Sequence, residues 1–434
     1  MMNPNASGDL PAILLAAVTV PPHTAAQTAE SLSELADLAD TLGFTIVEQA
    51  VQTRSAPDPG TYIGGGKLEG MRQLVQQHDI ELVIFDHDLS PKQSQNIERL
   101  LGCMIWDRTQ LILEIFARHA RTAEARIQVE LARMQYMLPR LVGLWAHLDR
   151  ERGGIGTSRG MGEKQIQIDR RMVRARITHL KKKLERIETE RRTQRKQRSK
   201  CFQVALVGYT NAGKSTLMNC LTNGSVHVAD KLFATLDSTT RMLDSKFKPA
   251  ILLTDTVGFI KNLPHSLVAS FRSTLENVCE ANLLLHVVDV SHPEYGTHIQ
   301  TTARVLDEIE AETIPRLIIF NKIDLNGLDD FDKLLLEKKY PGCVFVSALA
   351  ESTRHILVEK IKIHVRDCCI SRTVRLPYSN CEALADFYAY SIVDTIDYRD
   401  DGIYIDCTIS PVMQRHFKGY LPNLREKTHN AQAR

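Results

Sequence analysis

The stretch FQVALVGYTNAGKSTLMNCL, residues 202–221, constrains this chain more than any other. A buried-strand pattern runs into Gly208-Tyr209-Thr210-Asn211-Ala212-Gly213-Lys214-Ser215, which fits G-x-x-x-x-G-K-[ST], and a helix-compatible run follows. The glycines let backbone N–H groups wrap a β-phosphate, and the helix N-terminus adds partial positive charge. In that geometry Lys214 neutralises the β/γ oxygens of a nucleotide, and the Ser215 hydroxyl ligates Mg2+. Strand, loop and helix in this order are the context this motif requires, and they place it in an α/β fold.

Two more segments say which nucleotide. In AILLTDTVG an apolar run ends in Asp255-Thr256-Val257-Gly258, at the spacing from the loop expected of a second phosphate-side element. Asp255 is expected to hold Mg2+ through a water, and the Gly258 N–H to meet the γ-phosphate. In RLIIFNKIDL, Asn321-Lys322-Ile323-Asp324 follows a strand. The Asp324 carboxylate can accept from guanine N1–H and the 2-amino group; facing adenine, a buried carboxylate would be left unpaired, which is costly. The pattern therefore favours GTP/GDP over adenine nucleotides. The Lys322 stem can pack over the base, and Asn321 can brace the loop or meet N7. In FVSAL, Ser347-Ala348-Leu349 offers the Ala348 N–H to guanine O6. Phe259 follows DTVG and cannot orient water as a glutamine can. Turnover by the chain alone is expected to be slow, and no catalytic group is identified.

The net charge of +2 hides an asymmetry. Between Arg170 and Lys200, fourteen Lys/Arg face three Glu, a local surplus of eleven that leaves the remainder at −9. Such a stripe is a footprint for a polyanion or a solvated helix face. It has heptad apolar residues but no Trp or Phe, unlike a helix that inserts into a membrane surface. No window approaches ~20 apolar residues, and the run Ala12–Val18 lacks a basic flank, so a cytoplasmic protein without stable membrane insertion is expected. The nine cysteines form no CxxC pair and read as reduced thiols.

Residues 12–107 alternate apolar runs (12–20, 44–51, 82–86, 103–107) with amphipathic segments, one closing at Gly43 and one opening at Ser90-Pro91. Ile127, Leu131, Met134, Leu138 and Leu141, then Val173, Ile177, Leu180, Leu184 and Ile187, form two heptad seams. Pro139 interrupts or bends the first. The seams suggest an antiparallel hairpin joined by GGIGTSRGMGEK, Gly153–Lys164, which is either an amide nest for phosphate or a flexible tip. After 202–366, VRLPY and GIYIDCTI suggest a small α/β cap. The expected division is 1–108 (α/β), 109–199 (helical hairpin), 200–367 (P-loop GTPase domain) and 368–434 (small α/β domain). Tyr62-Ile63-Gly64-Gly65-Gly66-Lys67 hints at phosphate but is more often a turn.

Two further stretches narrow the reading. LFATLDSTTR, 232–241, stands in the position of switch I, and WAHLDRERGGIGTSRGMGEKQIQIDRR precedes the P-loop domain. With the ordered nucleotide motifs, the chain resembles the HflX family of translation-factor-class GTPases over nearly its whole length. The resemblance implies a cytoplasmic, monomeric GTPase that uses Mg2+, binds the large (50S) ribosomal subunit and its rRNA, and splits or rescues stalled or idle ribosomes under stress. It implies that Thr235 completes the Mg2+ coordination when the γ-phosphate is present, with Phe233, Ala234, Leu236 and Asp237 flanking the nucleotide. It also implies that the glycine loop reaches toward the peptidyl-transferase region. Departures from the family pattern are Ser238 in place of proline, an extra residue near Thr157-Ser158 with Met161 in place of proline, and Ala350-Glu351-Ser352 in place of a glycine-rich turn. The competing reading is a nucleotide-sensing RNA-binding module with little turnover.

Overall fold

The computed structural model describes residues 11–141, 159–198, 201–222, 232–233, 238–244, 247–261, 277–326, 328–410, 413 and 417; of 159–166, 190–198 and 326 only the backbone is described. These residues form two compact units. The first holds 11–141, the following helix up to Ile187, and Leu232, Phe233 and Lys261; the second holds the rest.

The first unit is built on a four-stranded parallel sheet in the order β2-β1-β3-β4, with β1 Ala12–Thr19, β2 Thr45–Thr53, β3 Leu82–Phe85 and β4 Met104–Asp107. β1 pairs on both sides, and Ile13 to Thr19 are all buried. That explains its unbroken apolar run, since a central parallel strand has no solvent face. The crossovers are α1 Ala25–Leu42, α2 Gly65–Gln77 and α3 Pro91–Leu101. Thr24 and Ser90 open α1 and α3 with capping boxes to Gln27 and Gln93, and Gly43 and Gly102 close them in the left-handed conformation. Gly65-Gly66-Lys67 forms the first turn of α2, whose N-cap Gly64 has no side-chain cap.

Helix α4, Arg108–His119, starts as β4 ends and buries Leu111, Ile112, Ile115 and Phe116. Arg108 at its first residue is 2% exposed. Its guanidinium donates to Asp86 at 2.8 Å, to Glu34, and to the Lys261 carbonyl at 3.2 Å. Lys261 in turn pairs with Glu30 on α1 at 2.6 Å. Phe233 meets the edge of Phe116 on α4, ring centroids 4.7 Å apart. Two segments distant in sequence are thus anchored on α1 and α4.

The helical region comprises α5, Ala123–Met137, and α6, Arg159–Arg198. α5 ends two residues before Pro139, so the proline interrupts the first seam rather than bending it. On α6, Leu180 is buried and Val173, Ile177, Leu184 and Ile187 are partly buried, while Arg171, Arg174, Lys181, Lys182, Lys183 and Arg186 are exposed. Arg176 pairs with Glu130 of α5 at 2.6 Å. Both partners are largely solvated, so the pair registers the helices more than it stabilises them. Residues 142–158, with the first half of the glycine-rich loop, lie outside the described residues.

In the second unit a six-stranded sheet runs β10-β9-β8-β5-β7-β6. Its strands are β5 Phe202–Gly208, β6 Thr239–Asp244, β7 Ile251–Asp255, β8 Leu283–Asp289, β9 Arg316–Asn321 and β10 Val344–Phe345. All pairings are parallel except that of the edge strand β6 with β7. Helices α7 Lys214–Thr222, α8 Tyr295–Glu308, α9 Ile323–Asn326, α10 Asp330–Lys339 and α11 Glu351–Cys368 complete it. A three-stranded antiparallel sheet follows, β11 Ile370–Leu376, β13 Gly402–Ile409 and β12 Ile392–Arg399, with helix α12 Glu382–Tyr390 on one face. Phe387 stacks on Phe417 at 4.2 Å in its core. β12 was not apparent in the sequence because DTIDYR is a polar, mostly exposed edge. All nine cysteines are free, and no helix among the described residues is long and apolar enough to cross a membrane.

Removing Arg108 leaves Asp86 buried without its counter-charge. Arg108→Ala should lower unfolding free energy by about 3–5 kcal/mol, the usual cost of breaking a buried ion pair from one side. Denaturant unfolding measures this; a loss below ~1 kcal/mol would show that the cluster is not holding α4.

Candidate nucleotide site

The loop between β5 and α7 is pinned from three directions. Gly208 has φ 146°, and a Cβ there would lie 2.2 Å from the Val287 carbonyl oxygen of β8. Gly213 has φ 91°, and a Cβ there would lie 2.3 Å from Asn321 Nδ2. Both glycines are therefore demanded by close backbone approach as well as by conformation. Asn211 also takes the left-handed conformation, φ 57°. On the third side, β7 continues past Asp255 so that the Phe259 N–H donates to Gly208 O at 3.0 Å and the Thr210 N–H to Phe259 O at 2.8 Å. Thr256, fully buried, donates its hydroxyl to Leu206 O at 2.6 Å, and Val257 is buried beside it.

Lys214 is 6% exposed. Its Nζ donates to the carbonyls of Gly208 and Tyr209 at 3.1 and 2.6 Å. Burial pushes its pKa down to about 8, against the pull of Asp255 toward the charged form. The ammonium is thus held on neutral carbonyls, an arrangement that a phosphate oxygen can replace with a stronger, charged partner. The Ser215 hydroxyl donates to Asp255 Oδ2 at 2.6 Å. A hydroxyl and a fully buried carboxylate side by side are hard oxygen donors suited to Mg2+, which takes its remaining ligands from phosphate and water. No group of three or more His, Cys, Asp or Glu suited to a metal occurs among the described residues, so these two would act with the nucleotide.

The base-side motifs meet the loop through Asn321. Its Nδ2 donates to Ala212 O at 2.9 Å, and its Oδ1 accepts from the Ala348 N–H at 3.0 Å. One buried side chain therefore joins the ends of β5 and β9 to the loop after β10. Of the two uses expected of Asn321, bracing is the one present. The Ala348 amide, expected to face guanine O6, is engaged by Asn321 in this structure. Ser347 is buried, its carbonyl accepting from Thr353 Oγ1 at 2.5 Å, and Leu349 is 80% exposed. Lys322, φ 63°, has its Nζ on Asp289 Oδ2 at 2.7 Å. The Ile323 N–H points to Val346 O at 3.5 Å. Asp324, expected as a buried carboxylate, is exposed here at the start of α9. Leu325 beside it is 68% exposed. A base would have to supply that burial.

Of the five switch-I residues expected to complete or flank the nucleotide site, only Phe233 is described, with φ 56° and 3% exposure. Ala234, Thr235, Leu236 and Asp237 lie outside the described residues. Three neighbours went unread in the sequence. The His298 imidazole stacks flat on the Tyr209 ring, 3.8 Å between centroids and 8° between planes. His292 lies 4.4 Å farther along. Asp289, the partner of Lys322, also accepts from Ser291 N at 3.0 Å. The run VVDVSHPEYGTH carries all three, but a histidine on a helix face reads first as a core residue.

Three families match successive parts of the chain. They are described as GTP-binding GTPase N-terminal (29–117), GTP-binding GTPase Middle Region (119–198) and 50S ribosome-binding GTPase (203–322). Among curated proteins, the GTPase HflX of Escherichia coli strain K12 is 41% identical, over 86% of this chain and 88% of its own. The GTPase HflX of Magnetococcus marinus is 41% identical over 89% and 90%, and that of Flavobacterium psychrophilum 48% over 71% and 75%. Among solved structures, a GTP-binding protein from Sulfolobus solfataricus in complex with GDP is 26% identical, covering 81% of this chain and 97% of its own at a TM-score of 0.43.

The Lys214 environment sets a pH dependence. Its folded pKa lies below the ordinary lysine value of 10.5. Between about pH 8 and 10.5 only the unfolded chain keeps the proton, so the ligand-free fold gains stability as pH rises through that window. Phosphate binding restores the charge. Above about pH 8 nucleotide binding should therefore take up a proton, and affinity should fall by up to about tenfold per pH unit. Calorimetry at pH 7 and 9 in buffers of different ionisation enthalpy reads both; equal affinity and no proton uptake at pH 9 would contradict the buried, neutralised amine.

Proposed function

The chain belongs to the HflX family of GTPases, and on that premise we propose that it engages the large ribosomal subunit in its GTP-bound form and splits or rescues stalled or idle ribosomes. It is a GTP hydrolase with a 50S ribosome-binding GTPase domain. The observation that carries the reading is the Asn321 bridge, which assembles phosphate loop, base-reading motif and Ser-Ala loop into one site.

In this reading Gly208 to Ser215 cradle the phosphates, with the backbone amides and Lys214 taking the β/γ oxygens. Lys214 exchanges its two carbonyl partners for a phosphate without leaving its burial. Ser215, Asp255 and Thr235 would hold Mg2+, which when bound offsets phosphate charge. Gly258 would sense the γ-phosphate. Lys322 and Asp324 would flank and read guanine, with Ile323, Ser347, Ala348 and Leu349 shaping that end of the site.

Phe233 and Lys261 sit at the ends of the two segments that a γ-phosphate would rearrange, and both are anchored within the first unit, on Phe116 and Glu30. This supports coupling of nucleotide state to the surface that meets the ribosome. The exposed basic face of α6 suits rRNA phosphates. A cytoplasmic monomer with the four-part division drawn above is the organisation we favour.

Two outcomes test this reading. Large subunits should raise GTP turnover well above that of the chain alone, because Phe259 offers no side-chain group to orient water; equal rates would instead favour a nucleotide sensor with little turnover. Lys181→Glu, Lys182→Glu and Lys183→Glu combined should weaken co-sedimentation with large subunits and flatten its salt dependence. Unchanged binding, with helicity intact by circular dichroism, would remove α6 from the interface.

A further inference from the structure

Several donors of the phosphate loop already have partners. Lys214 Nζ rests on two carbonyls, the Ser215 hydroxyl on Asp255, and the Thr210 N–H on Phe259 O. The Thr210 hydroxyl stands apart. Thr210 is 6% exposed, and its Oγ1 is buried with no hydrogen-bond partner among the described residues. A hydroxyl buried without a partner is costly, and groups of this kind at functional sites have a ligand to answer them.

Its position says which ligand. A Cβ built on Gly258 would lie 2.8 Å from Lys214 Nζ, 2.8 Å from Thr210 Cα and 2.9 Å from Thr210 Cγ2. Gly258, the Lys214 ammonium and the Thr210 side chain therefore border one spot. Lys214 serves the β/γ oxygens and Gly258 the γ-phosphate, so that spot is the terminal end of the triphosphate. The Thr210 amide is already spent on Phe259, and the Phe259 side chain has no polar atom. The methyl Cγ2 is the side-chain atom of Thr210 that faces this spot, and the hydroxyl on the same Cβ, one χ1 rotation away, is the polar group of Thr210 still available to reach it.

We propose that Thr210 Oγ1 donates a hydrogen bond to a non-bridging oxygen of the terminal phosphate of GTP, making Thr210 a side-chain discriminator of GTP from GDP. This deepens the nucleotide-site reading above and rests on it. In hydrolysis the water oxygen bonds to the γ-phosphorus while the bond from that phosphorus to the β–γ bridging oxygen breaks. The electron pair leaves with GDP, and the water protons go to inorganic phosphate and solvent. Thr210 neither gains nor loses a proton. It stabilises oxygen charge that GTP and the transition state carry and GDP lacks.

The experiment compares the full chain with Thr210→Val, which keeps the shape without the hydroxyl, and Thr210→Ser, which keeps the hydroxyl. Each is titrated with fluorescent GDP and with a fluorescent non-hydrolysable GTP analogue, and GTP turnover is measured. Thr210→Val should bind the triphosphate analogue about ten- to a hundredfold more weakly, the range for a hydrogen bond to a charged group, with GDP affinity within about twofold of wild type. Thr210→Ser should recover most of the triphosphate affinity and turnover. Equal losses for GDP and triphosphate, no loss at all in Thr210→Val, or a Thr210→Ser as defective as Thr210→Val would overturn the proposal. Wild-type protein that takes up neither nucleotide would overturn the site reading and this assignment with it.

Discussion

A lysine ammonium taken almost wholly out of water is the constraint on which the nucleotide half of this molecule depends. Burying a charge is tolerable only with partners, and here the partners are two carbonyls of its own loop. Those carbonyls point inward because Gly208 can follow the Val287 backbone so closely, and because Phe259 zips the start of the loop to the end of β7. The amine is correspondingly easier to deprotonate than an ordinary lysine. A loop that holds its cation on neutral oxygens is ready to surrender it to an anionic one. Binding energy for phosphate is thereby prepared in the ligand-free fold.

The base side is prepared less fully. Asn321 ties three loops together, but it uses the Ala348 amide to do so, and Asp324 stands in solvent. The Lys214 side of the site is set in the ligand-free fold, whereas the residues expected to meet the base are not brought together in it. This order fits a protein that must accept both GDP and GTP and respond to the difference, since the diphosphate and base contacts are common to both nucleotides.

The first unit brings a separate kind of order. Arg108 draws Asp86, Glu34 and the Lys261 carbonyl together at the point where β4 becomes α4, and Lys261 reaches Glu30. These residues lie up to 231 positions apart in sequence. Periodicity, caps and spacing say nothing about such pairs, because each signal is local. The heptad seams of α5 and α6, by contrast, were legible: every seam position described on α6 is at least partly buried, while Arg171, Arg174, Lys181, Lys182, Lys183 and Arg186 stay exposed. A seam is written in one helix and needs no knowledge of its partner. The edge strands β6 and β12 were missed for the opposite reason. Their polar residues resemble loops until a neighbouring strand supplies the hydrogen bonds.

What the sequence determined alone was the chemistry. Glycine, lysine, serine and aspartate at fixed offsets give grounds to expect a phosphate loop, a hard-cation pair and a guanine reader, because each depends on backbone geometry within a few residues. It also set the α/β class, through short apolar runs alternating with amphipathic segments. Tertiary structure decided the rest. It chose Asn321 as brace, set His298 against Tyr209, left the Thr210 hydroxyl unanswered, and moored Phe233 and Lys261 on α4 and α1. Each of these is a meeting between side chains on different elements, and only packing sets which of many compatible partners comes within reach.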